Sequence, residues 1–272
     1  ANVSANNAIR TPQFWCLWVI LFCNITAGIG ILENAAPMVQ DYFPALSAAA
    51  AAGFVGLLSL ANMGGRFIWS SASDVIGRKN IYMVYLGVGL IFYFVVASAG
   101  HTSLALFVVS TLILLTFYGG GFATIPAYLR DLFGVYQVGA IHGRLLTAWS
   151  AAGVAGPLII NTVVERQANR GNSGPELYQL SLYIMCVLLA VGLVANILVR
   201  PVARKWFEDP EKVAAKVEAD RASARESAAA AAGGGAGSIH ALVATVLALV
   251  IAALLVYGLW ETAVKASQMI AG

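Results

Sequence analysis

Residues 65–79 read GRFIWSSASDVIGRK: a lone arginine, Arg66, and then a compact charged turn, Asp74 to Lys79, set between two long apolar segments. Residues 46–64 upstream and 81–100 downstream carry no charged side chain. A stretch of that kind spans the hydrocarbon of a bilayer as a helix, which puts the turn at the membrane rim and Arg66 inside it. A cation at the centre of a membrane helix costs about 2.5–3.5 kcal/mol or more unless it faces a polar cavity or a partner, so an arginine kept there points to a use.

The rest of the 272-residue chain agrees with a bilayer environment. Hydrophobic residues make up 60% of it, charged residues 11%, and the mean hydropathy is +0.79. A soluble domain of this length needs more polar surface. Apolar runs of spanning length lie near Phe14–Leu32, Leu46–Ser71, Ile81–Gly100, Leu104–Leu129, Ile141–Val164, Leu177–Val199 and Ile239–Trp260. The expected class is therefore an all-α integral membrane protein. Residues 1–12 are polar with one basic residue and no cleavage pattern, so no signal peptide is expected. The opening Ala1 reads as an internal start with further sequence upstream.

Lysine and arginine set the orientation. Arg10, Arg66, Arg78, Lys79, Arg130, Arg144, Arg200, Arg204 and Lys205 collect at one set of connections, against Arg166 and Arg170 at the other, nine to two. The N-terminus and the 65–79 turn are expected on the cytoplasmic side, with six spans running up and down in an inner, cell-delimiting membrane.

Small residues recur within the spans, most densely at Tyr118-Gly119-Gly120-Gly121-Phe122. Three glycines cost a helix about 1 kcal/mol each relative to alanine, so close backbone approach or flexing is expected to offset them. Pro126 and Pro157 interrupt backbone hydrogen bonding inside their spans. Cys16, Cys23 and Cys186 lie in apolar runs without a pairing pattern, and His101, His142 and His240 lack metal-ligand spacing. No nucleophile–base arrangement or phosphate loop is present. Enzymatic chemistry, a metal and a cofactor are all unexpected.

Several residues now carry a family resemblance. Ser73-Asp74-Val75-Ile76-Gly77-Arg78-Lys79, preceded by Gly65 and Arg66, resembles the loop that major facilitator superfamily transporters place between the second and third helices of each six-helix half. RTPQFW at Arg10–Trp15, PAYLRDLFG at Pro126–Gly134 and GRLLTAWSAAGVAGP at Gly143–Pro157 resemble the oxalate/formate antiporter family within it. The resemblance covers about residues 10–201. It implies the C-terminal six-helix half of a twelve-helix transporter, residues 1–200, whose N-terminal half is a missing partner. It also implies a secondary active carrier of a small organic anion, working by alternating access, with the site between the two halves.

Within that frame Gly65, Asp74, Gly77, Arg78 and Lys79 form the expected gate motif, Asp74 pairing with arginine and with the positive N-terminal end of a helix from the other half. The alternative is a topogenic charged loop. Arg66 lies eight residues before Asp74, about 12 Å deeper on a continuous helix. Its planar donor fork suits a carboxylate, and the resemblance implies the same role. The alternative is pairing within the rim network. Asn62, one turn earlier, is placed to orient the guanidinium. Tyr118 and Phe122 share a helix face and resemble the family's aromatic cavity lining; ordinary packing is the alternative.

The sequence departs from the oxalate-transporting members at Trp149, which stands where they carry an intramembrane lysine in the fifth span. One cation suits a monoanion and two suit a dianion, so formate, lactate or a similar monocarboxylate is expected ahead of oxalate. Glu33, at the expected outer end of the first span, is a candidate for proton coupling; the alternative is a solvated helix end. Proton symport and anion exchange both stay open.

After residue 200 the composition changes. Trp206–Ser227 alternates charges among alanines and reads as a solvated helix, Ala228–Gly237 reads as a flexible linker, and together they make an expected cytoplasmic segment over 201–238. An additional span is expected over 239–261. A seven-helix pigment is disfavoured, because Lys265 lies past that span rather than in it. A non-transporting membrane scaffold or regulatory seven-span protein is the alternative function.

Overall fold

The computed structural model describes residues 2–233, 242–254, 256–257 and 260. Among them the fold is all-α, with one isolated antiparallel bridge between Val3 and Phe207. The helices are α1 (Ala5–Ala8), α2 (Pro12–Tyr42), α3 (Ala48–Ile76), α4 (Arg78–Ala99), α5 (Leu104–Phe133), α6 (Val138–Leu145), α7 (Thr147–Asn169), α8 (Glu176–Leu198) and α9 (Pro210–Gly233). Among the described residues six segments are long and apolar enough to cross a membrane: α2, α3, α4 with a following 3-10 turn, α5, α6 with α7, and α8. They coincide with the first six expected spans.

Local chemistry sets the ends. Thr11 caps α2 by accepting a hydrogen bond from the Phe14 N–H, and Pro12 occupies the first turn, where its missing donor is harmless. Ser47 caps α3 in the same way through the Ala50 N–H. Gly77 has φ of 92° and at once terminates α3 and begins α4. A side chain there would be strained, which is why the charged turn is built around glycine.

Two expectations about the spans change. The first span does not end near Leu32. α2 continues to Tyr42, because Ala35, Met38, Val39 and Tyr42 keep an apolar face buried past Pro37. Glu33 and Asn34 therefore lie inside a helix rather than at its end, and Asn34 donates to the Gly30 carbonyl at 3.1 Å. The fifth span is two abutting helices joined at Leu146.

Packing is closest between α3 and α5; α4 pairs with α8, and α2 lies against α7 and α8. Tyr82, Tyr85, Phe107 and Phe133 are among the largest fully buried side chains. The spans are unequally covered. In its most apolar window α2 is 67% buried, but α3 is only 22% buried and the α6–α7 span 28%. Arg66 lies on α3 and Trp149 on α7, so the two least covered spans carry the expected site.

At the end of the bundle that holds the charged turn, the chain's first residues knit loops together. The Val3 N–H donates to the Phe133 carbonyl, and Asn2 Oδ1 accepts from the N–H groups of Val135 and Tyr136. The Ala5 N–H donates to Gln137 Oε1 at 2.7 Å, and the Glu208 N–H donates to the Asn2 carbonyl at 2.8 Å. Residues through Glu208 form one compact unit.

The remaining residues form a second unit. In it α9 runs to Gly233, so Ala228–Ala232 are helical rather than linker. Alanine has the highest intrinsic helix propensity and simply prolongs the charged helix. Leu242–Leu254 is an apolar helix too short to span by itself. Residues 234–241, 255, 258–259 and 261, which complete the expected linker and seventh span, lie outside the described residues, as does His240.

Candidate functional site

The site begins with how closely α3 and α5 approach. A Cβ on Gly65 would overlap the backbone of Thr116, and one on Gly119 would overlap the Asn62 carbonyl. Neither obstacle is a movable side chain, so both positions need glycine. The same run serves two more contacts: a Cβ on Gly120 would lie 2.7 Å from the Tyr85 hydroxyl, and one on Gly121 2.7 Å from Asn24 Nδ2. The three glycines thus let α5 press against α3, α4 and α2. Gly65, expected in the gate motif, lies at this helix crossing, nine residues before Asp74.

That crossing sets Arg66 beside Phe122. The guanidinium carbon lies 5.1 Å from the centre of the Phe122 ring, a cation–π distance. Phe122 in turn meets Trp149 edge-on, with ring centres 4.3 Å apart, and Trp149 lies 6.4 Å from Tyr118. Three helices therefore contribute to one aromatic shelf carrying a cation. Arg66 is exposed and makes no hydrogen bond or ion pair among the described residues. The expected alternative, an arginine paired within the rim network, is not what the structure shows. An open hollow of about 310 Å3 lies against the shelf, lined by Phe122, Leu146, Trp149 and Ser150.

The other expected members fall differently. Tyr118 is 6% exposed, with its ring packed over Gly28 of α2. Glu33 is exposed on α2. Asn62 makes no bond to Arg66. Its Oδ1 is buried without a hydrogen-bond partner among the described residues, because the Gly119 contact draws the residue inward against α5.

At the turn, Arg78 pairs with Asp74, donates to the Ser73 carbonyl at 2.9 Å, and places Nε 3.6 Å from Asp131 Oδ2 at the end of α5. The arginine side chain is 12% exposed and Asp74 68%, so the arginine is the fixed member. Lys79 does different work: its ammonium donates to the carbonyls of Ile197 and Val199 at 3.1 and 2.7 Å, capping the C-terminus of α8. Asn196 closes the link by donating to the Lys79 carbonyl at 2.9 Å and accepting from the Tyr128 hydroxyl at 3.2 Å. Asp131, Tyr128 and Asn196 were not legible as partners, because they lie 50 to 118 positions from Arg78. The one available signal was an acidic residue in PAYLRDLFG at the same membrane level as the turn.

Two curated proteins resemble the chain. It is 27% identical over 158 residues to the oxalate:formate antiporter of Oxalobacter formigenes, covering 57% of this chain and 37% of that protein. It is 24% identical over 136 residues to an uncharacterized MFS-type transporter of Escherichia coli (strain K12), covering 50% of this chain and 33% of that one. The chain thus matches about a third of the length of either relative. No family model matches. One relative is named an antiporter and the other an MFS-type transporter, and the six membrane-length helices are what one half of a major facilitator transporter contains.

Proposed function

We propose that this chain is the C-terminal half of a secondary active transporter that moves small carboxylate anions across the inner membrane by alternating access, its other six helices completing the site. The observation that carries this reading is Arg66: a guanidinium with no acidic partner among the described residues, on a sparsely covered helix and held against an aromatic shelf. Arg66 takes the carboxylate through its donor fork, while Phe122 and Trp149 exclude water and strengthen the charge interaction. Tyr118 donates a hydrogen bond from below. Asp74, Arg78 and Asp131 hold the cytoplasmic gate; Glu33 is the candidate for proton coupling, with anion exchange as the alternative. The N-terminus is cytoplasmic, and residues 239–261 form an additional span after the 201–238 segment.

With Trp149 beside Arg66 this half brings one cation to the substrate, which favours a monocarboxylate such as formate or lactate over oxalate. The resemblance to an oxalate:formate antiporter keeps exchange of the two as the competing outcome. The test is counterflow in proteoliposomes holding the protein as its gene encodes it, with labelled formate, lactate and oxalate in turn. Faster exchange of a monocarboxylate is expected. Oxalate exchange at the higher rate would overturn the substrate preference, and no flux of any of the three would overturn the transporter reading.

A further inference from the structure

The charged turn is one of two ties across its end of the bundle. Through Arg78 it reaches Asp131 on α5, and through Lys79 it reaches the Ile197 and Val199 carbonyls at the end of α8. Residues 2–8 bridge the same two parts of the fold by a separate route. The Val3 N–H donates at 2.9 Å to the carbonyl of Phe133, the last residue of α5, and Val3 also forms the antiparallel bridge with Phe207 in the segment after α8. That segment is itself held down: Val199 and Val202 are buried, and the Pro201 carbonyl accepts from Gln13 Nε2 at 3.2 Å.

The sequence explains how so short a stretch can hold. Val3, Ala5 and Ala8 are buried and seat it on the bundle. Around them stand three asparagines, whose carboxamides both donate and accept. Each finds a different partner. Asn2 Oδ1 takes the Val135 and Tyr136 N–H groups, Asn6 Oδ1 accepts from Arg144 of α6 at 2.8 Å, and Asn7 Nδ2 donates to Glu208 at 3.1 Å. Among the described residues no hydrogen bond or ion pair joins residues 2–8 to residues 73–79, so the two ties share no bond.

We infer that residues 2–8 are a strap that joins the end of α5 to the segment after α8 independently of the charged turn. While either tie is closed the two parts stay together. The turn can then part from Asp131 without loosening this end of the bundle, as a gate that opens and recloses requires. That use rests on the transporter reading; the double tie does not.

Hydrogen exchange of residues 130–134 and 196–199, in the protein as its gene encodes it and held in lipid nanodiscs, tests the strap by a double-mutant cycle. Val3→Asp puts a carboxylate at a buried apolar position and expels the strap, while Arg78→Gln opens the turn. Each alone is expected to speed exchange about threefold or less, and the two together about 30-fold or more, beyond the roughly ninefold product of independent effects. Asn2→Ala with Gln137→Ala opens the strap without burying a charge, and combined with Arg78→Gln it should exceed its own product in the same way. A combined effect no larger than the product in either cycle, or one variant as damaging as the pair, would overturn the strap. None of these results depends on flux. Absence of transport in the parent protein would overturn the transporter reading and leave the strap standing.

Discussion

Arg66 and Arg78 come from the same fifteen residues, twelve positions apart, and the structure treats them in opposite ways. Arg78 is enclosed: a carboxylate on either side, a backbone carbonyl and little exposure. Among the described residues Arg66 has a ring face and no hydrogen bond or ion pair. A charge already matched by its own chain is structural or a latch, because further pairing gains it little. A charge held by an aromatic face keeps all its hydrogen-bond donors free. The two arginines thus separate a matched charge from an unmatched one within one helix and the turn that ends it.

The contrast can be broken most decisively at Arg66. Arg66→Gln is expected to lower exchange about 100-fold or more, the loss of a bidentate charge-assisted pair, with Arg66→Lys recovering part of it. Arg78→Gln should leave the half-saturating substrate concentration nearly unchanged and lower thermal stability instead. Counterflow and detergent thermal unfolding on the same two variants would show the comparison to be wrong if the effects were exchanged.

Trp149→Lys sharpens it next. A second cation beside Arg66 is expected to move the ratio of oxalate to formate exchange toward oxalate by about tenfold, the effect of one added charge in a partly screened site. No change in the ratio would mean that the shelf is not where the anion sits. Gly119→Ala tests the helix crossing that places Arg66. Its methyl meets backbone, so a loss of about 1–3 kcal/mol in stability is expected, whereas Gly53→Ala, where a Cβ meets nothing within 4 Å, should be neutral.

The gate residues carry the smallest expected effects. Asp74→Asn is expected to shift the equilibrium toward inward-open states about threefold, as suits a pair whose carboxylate is mostly solvated. Cysteine accessibility at the turn would report it, and an unchanged equilibrium would remove Asp74 from the gate. Lys79→Met loses a helix cap worth less than about 1 kcal/mol and should leave that equilibrium where it was.

Much of this was legible in the chain itself. Apolar runs of spanning length followed by charged turns leave few options, and the first six appear where the pattern placed them. The aromatic partners Tyr118 and Phe122 could be named because helical periodicity puts them on one face. Asn62 misled for the same reason: periodicity gives a face but not the contact across it, and the Gly119 crossing claims the side chain first. Glu33 was misplaced because the apolar run ends near Leu32, whereas a buried apolar face carried α2 on past Pro37 to Tyr42.

Sequence alone determined the bilayer environment, the number and order of the first six spans, the turn at Gly77 and the presence of an arginine within the second span. Hydropathy and backbone stereochemistry are local, so a single chain read in order suffices for them. Only the tertiary structure decided which arginine is matched and which is free, that Lys79 caps α8, that Gly65 and Gly119 exist for one helix crossing, and that Trp149 shares a shelf with Arg66. Those facts depend on distances between residues tens of positions apart, which packing fixes and which no run of sequence contains.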